Sequence, residues 1–170
     1  KRHKEFRQVF DKMFKELDKC SDNTIVTVGG DIVHAKTEMS PELISMVSYL
    51  FKGLADRRPT FVITGNHDAN LNNPHRLDAL TPIVQGLKHR NLYYLRDSGM
   101  YDLYTPEQRI GLSVFSLLGE TDKYITYDKI DDADEYDLLV ALYHGTVANS
   151  KVDSGMNIEH GLSWDTFAGY

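Results

Sequence analysis

Three short stretches hold the residue types that could do chemistry: Gly29-Gly30-Asp31-Ile32-Val33-His34, Gly65-Asn66-His67-Asp68 and His144-Gly145. Asp31 offers a carboxylate able to bridge two cations, Asn66 a neutral amide oxygen and His144 an imidazole nitrogen. Mixed oxygen and nitrogen donors without thiolate suit manganese, iron or zinc better than calcium. His67 and Asp68 adjoin these donors. A histidine beside such a centre can protonate a leaving oxygen, and a carboxylate can orient it. Each residue also has a plainer reading. Asp31 can cap a turn, Asn66 and His67 can be turn residues bonded to backbone, His144 can be a core histidine, and His34 can simply face solvent.

The elements that must position these residues follow from hydrophobic spacing. Phe6, Val9, Phe10, Met13, Phe14 and Leu17 recur at helical intervals, which predicts an amphipathic helix over residues 4–19. Thr24 to Val28 is β-branched and predicts a buried strand that ends at Gly29. Ser40-Pro41-Glu42 is a helix start, with serine as cap and proline in the first turn. Thr60 to Thr64 predicts a second buried strand, and Leu77 to Leu87 a further helix. Leu92 to Leu95, Met100 to Tyr104 and Ile110 to Leu117 read as strands of a meander, with their tyrosines (93, 94, 101, 104) as packing. Residues 119–136 are acidic and irregular, Leu138 to Tyr143 is a third buried strand, 146–162 is a long loop, and Ser163 opens a short helix. Alternating strands and helices predict a layered α/β fold. In such folds ligands sit beyond the carboxyl ends of strands, where the three stretches fall.

The chain has 170 residues, enough for one sizeable core, and a net charge of −6. That charge argues against a generic basic nucleic-acid binder, though bound metals can supply positive charge to a nuclease. Cys20 is the sole cysteine, so disulfides and thiolate zinc sites are excluded and an intracellular setting, cytoplasmic or nucleoid-associated, is expected. No apolar run approaches the roughly 20 residues of a membrane helix.

Taken together, GGD (29–31), GNHD (65–68) and HG (144–145) resemble the calcineurin-like metallophosphoesterases in order and spacing. That resemblance implies an α/β/β/α sandwich and two divalent metal ions, manganese first, with iron or zinc as alternatives. Asp31 would bridge both metals, and Asn66 and His144 would ligate the second. His67 would contact the scissile phosphate and assist the leaving group, with Asp68 orienting it. The stretch GDIVHAKTEMSPEL (30–43) is similar to the corresponding block of the SbcD-type DNA repair exonucleases, with His34 in the position that places a DNA strand. This branch implies DNA as substrate, a coiled-coil ATPase of the SbcC type as partner, and a homodimer. His75 and Arg76, in the loop after GNHD, are candidate phosphate contacts.

Two further blocks of that family, DxH and GHxH, do not occur in the chain. Residues 1–170 are therefore expected to be the central part of the catalytic domain, a sandwich incomplete at both ends, binding metal weakly and inactive alone. Asp153 and Asp165 lack the spacing to replace the missing ligands. Two other functions stay open: a metallophosphatase on protein or small phosphoesters, and a non-catalytic scaffold module.

Overall fold

The computed structural model describes residues 2–34, 38–73, 75–151 and 154–170. Asp153 lies outside them. The chain forms two units, Lys1–Leu95 and Arg96–Tyr170, each with its own three-stranded sheet. Three α-helices and two sheets among the described residues bear out the α/β class. No helix among them is long and apolar enough to cross a membrane.

The first unit runs α1 (Arg2–Leu17), β1 (Val26–Val28), α2 (Pro41–Ala55), β2 (Thr60–Ile63), α3 (Thr81–Leu87) and β3 (Leu92–Leu95). Its strands are all parallel in the order β1-β2-β3, with Val28 opposite Val62 and Val62 opposite Tyr94. Parallel neighbours need crossovers, which the helices provide. β2 is central and buried at every position, which is why Thr-Phe-Val-Ile reads as a continuous run without alternation. Val33, Val47, Phe51, Ala55, Val62, Ala79, Leu80, Ile83 and Leu92 form the core around it.

Local chemistry sets the helix ends. Ser40 Oγ accepts the Leu43 N–H at 3.1 Å, the cap the sequence predicts for α2. α1 docks through Phe14, whose ring lies against Gly53; a Cβ there would stand 2.2 Å from it. α3 is shorter than expected and starts at Thr81 rather than near Leu77. The cause is Asp78, whose Oδ1 accepts the N–H groups of Leu80 (3.0 Å) and Thr81 (2.8 Å) and holds the approach as a turn.

The second unit runs β4 (Gly99–Tyr104), β5 (Arg109–Phe115) and β6 (Leu138–Tyr143), in that order across its sheet. β4 and β5 are antiparallel, and β5 and β6 parallel. The expected meander is therefore corrected: Leu92–Leu95 pairs with β2 in the first sheet. Periodicity reports which face of a strand is covered and does not name its partner. β6 is also less buried than expected, with Leu138 48% exposed, because it is an edge strand of its sheet. Residues 119–136 contain three single 3₁₀ turns, Thr121–Lys123, Tyr127–Lys129 and Ala133–Glu135. In the long loop, isolated bridges pair Val147 with Leu162 and Lys151 with Asn157. Ser163 caps the closing 3₁₀ turn, Trp164–Phe167, and Trp164 is exposed. The core of this unit centres on Phe115, met edge-on by Tyr124, Phe167 and Tyr170.

Candidate active site

The carboxyl ends of β1 and β2 interlock. Gly30 has φ +90°, and a Cβ on it would stand 2.5 Å from the Gly65 nitrogen. A Cβ on Gly65 would stand 2.1 Å from the Asp31 nitrogen and 2.3 Å from its Oδ1. Only glycine at both positions lets the two turns touch backbone to backbone. Gly29 has open space around it, so the first glycine of the pair is not held by sterics. Asp31 itself is left-handed, at φ 55°. Aspartate tolerates that region better than most residues, yet the conformation persists only where surroundings enforce it.

Two carboxylates enforce it reciprocally. Asp68 is fully buried. Its Oδ2 accepts the N–H groups of Asp31 (2.8 Å) and Gly65 (2.9 Å), and its Oδ1 accepts that of Val33 (2.9 Å). In return, Asp31 Oδ1 accepts the His67 N–H at 2.9 Å. One side chain from each turn thus fixes the backbone of the other. Burial raises the Asp68 pKa above the usual carboxylate value, and the nearby charge of Asp31 adds to this. The three amide bonds oppose the shift by favouring the charged form.

This arrangement brings Asp31, Asn66, His67, Asp68 and His34 into one cluster. Asp31 and His34 are exposed, and Asn66 and His67 half-buried. The His34 and His67 rings stack, with centroids 4.7 Å apart and planes 24° from parallel. Asp68 was expected to orient the His67 side chain. Its hydrogen bonds among the described residues go instead to three backbone amides, so its hold on His67 runs through Asp31 and the main chain. His75 and Arg76 are exposed on the following loop, and no hydrogen bond or ion pair among the described residues ties their side chains to the cluster. His144 follows β6 in the second unit and is half-buried there.

Sequence reasoning overlooked the buried polar groups behind the turn. Thr64 is 3% exposed and Asp78 2% exposed. The signals were present: a hydroxyl where the strand pattern asked for an apolar residue, and an aspartate three positions before Thr81-Pro82, a cap spacing.

The donor chemistry of the cluster suits a divalent cation in kind. Asp31 and Asn66 stand on adjoining turns, offering a carboxylate and an amide oxygen beside an imidazole. In number it is sparse, since the described residues contain no group of three or more His, Cys, Asp or Glu side chains placed to hold an ion. Asp68 adds little, because its oxygens already serve three amides.

Comparison with known proteins agrees with this reading. The model of the family described as calcineurin-like phosphoesterase matches residues 2–164. The chain is also similar to the uncharacterized protein R555 of Acanthamoeba polyphaga mimivirus, at 42% identity over 180 residues. That match covers 99% of this chain but 13% of the viral protein, so the chain spans about an eighth of that relative's length. Family members are hydrolases that generally use divalent metals. With the family's match spanning nearly all of it, the chain belongs to the calcineurin-like phosphoesterases.

Proposed function

We propose that this chain forms part of a metal-dependent phosphodiesterase acting on DNA, of the SbcD type. The observation that supports this reading most is the His34–His67 stack, 4.7 Å between centroids, beside the Asp31–Asp68 interlock. It sets the histidine of the GDIVH stretch, the residue expected to place a DNA strand, against the histidine expected to meet the scissile phosphate.

Asp31 and Asn66 of the first unit would hold the divalent ions, two by resemblance to the family, manganese first, with iron or zinc as alternatives; His144 is a further ligand that the same resemblance implies. When bound, such ions draw charge from phosphate oxygens and lower the pKa of water. The chain's own residues do the rest. His67 donates a proton to the leaving oxygen, its ring held in plane by His34. Asp68 keeps Asp31 in its left-handed turn and so keeps the carboxylate directed at the site. His75 and Arg76 contact phosphates further along the substrate. A coiled-coil ATPase of the SbcC type as partner, and a homodimer, belong to this same proposal.

A second reading, a metallophosphatase on protein or small phosphoesters, is favoured by the net charge of −6, which offers little basic surface to a polyanion. The two readings part at His34. The test uses the protein that carries this chain, at its natural length, assayed with manganese on a small aryl phosphodiester and on linear duplex DNA. The nuclease reading expects His34→Ala to leave small-ester hydrolysis within about twofold while DNA cleavage falls at least about tenfold. Equal loss on both, or no cleavage of DNA by the unsubstituted protein, overturns it.

A further inference from the structure

We infer that Tyr94 is a positioning residue for the turn that presents Asn66 and His67, acting through Thr64; this rests on reading that turn as part of a phosphoester site. Tyr94 lies on β3, in register with Val62 of β2. Its hydroxyl and Thr64 Oγ1 share a hydrogen bond of 2.7 Å. The buried carboxylate of Asp78 lies close enough to help raise the Tyr94 phenol.

Either hydroxyl can donate in the Thr64–Tyr94 bond. Burial, before any other cause, holds the Tyr94 phenol well above its ordinary value, so the hydroxyl stays protonated and the bond stays in place. Asp78, next along the approach to α3, takes two backbone N–H groups and the Thr81 hydroxyl.

The relay ends where the site begins. The peptide between Thr64 and Gly65 donates its N–H to Asp68 Oδ2 at 2.9 Å. The carbonyl carbon of the same peptide would lie 2.9 Å from a Cβ on Gly30. This peptide is thus pinned by Gly30 and Asp68, while the Thr64 side chain is pinned by Tyr94. A second link closes the loop: the Asp68 carbonyl accepts the N–H of Ala79, next to Asp78, at 2.8 Å. Tyr94, through Thr64, and Ala79, through the Asp68 carbonyl, thus tie the turn to β3 and to the approach to α3.

The test is residue-resolved amide exchange on the 170-residue chain, read without metal. Tyr94→Phe keeps the ring and removes the hydroxyl. The expected result is exchange of the Gly65, Asp31 and Val33 amides faster by about fivefold or more relative to the β2–β3 ladder. Thr64→Val reproduces this, Thr64→Ser does not, and Thr64→Val with Tyr94→Phe is no worse than either alone. Unchanged exchange at the three amides, a rise only in step with the ladder, or additive effects of the two substitutions would overturn the inference. If Tyr94→Phe does not fold, the Thr64 pair decides it. Failure of the phosphoester reading shows elsewhere, as unsubstituted protein of natural length that hydrolyses no phosphoester.

Discussion

In the first unit a carboxylate is buried and answered by neutral amides, whereas in the second a guanidinium sits near the surface among carboxylates. Asp68 is sealed from solvent and organises three N–H groups at 2.8–2.9 Å. Arg109 meets Asp132 at 2.6 Å and Glu135 at 3.0 Å, with its guanidinium 3.9 Å above the Tyr136 ring. Both are polar networks at strand ends, but they work in different dielectrics. The Arg109 set is partly screened by water and salt, and such ion pairs contribute little to stability. The Asp68 carboxylate is shielded from solvent, and the Val33 and Gly65 donors are left buried if it is lost. The first unit thus spends its polar interior on fixing backbone geometry where the chemistry is expected, and the second uses polar groups to dress a sheet.

The contrast breaks most sharply at Asp68. Asp68→Ala strands three N–H groups, two of them buried, and chemical denaturation should show a loss of roughly 3 kcal/mol or more. A loss under about 1 kcal/mol would place Asp68 on a par with the surface network and end the distinction. The glycines give the next largest effect. Gly65→Ala drives a Cβ to 2.1 Å from the Asp31 nitrogen and should cost about 2 kcal/mol. Gly29→Ala, with open space around it, should stay within about 0.5 kcal/mol, so the pair measures how tight the interlock is.

Much of this was readable in the residues. The three chemical stretches stand at strand ends as expected, and the Ser40-Pro41 start of α2 and the Ser163 cap are in place. What escaped was relational. That Leu92–Leu95 joins the first sheet depends on the crossover through α3, which no local pattern in Leu-Tyr-Tyr-Leu reports. That Asp68 serves backbone amides depends on β1 and β2 being neighbours, a contact between residues 31 and 68 that is distant in sequence. The same holds for the bond between Thr64, just past β2, and Tyr94 on β3.

The second unit supplies the smallest expected effect, a titration. Burial, followed by the hydrogen bond it donates to Asp102, pushes the Tyr136 phenol up to about 12. A phenol raised in the folded state favours folding below its ordinary value of about 10. That contribution is lost as pH climbs from there through about 12. Absorbance titration, read as the difference between the unsubstituted chain and Asp102→Asn, should show one of the late-ionising tyrosines brought down by the substitution. An unmoved midpoint would mean that Asp102 plays no part in the second unit's network.

If the interlocked ends of β1 and β2 form a divalent-metal site, as proposed, manganese bound there must broaden nearby resonances, and paramagnetic broadening detects even weak binding and localises it. The expected result is selective broadening of the Asp31, Asn66 and His67 amides, abolished by Asp31→Asn. Broadening centred instead on the acidic segment around Asp131, Asp132, Asp134 and Glu135, or broadening near Asn66 that survives Asp31→Asn, would contradict it.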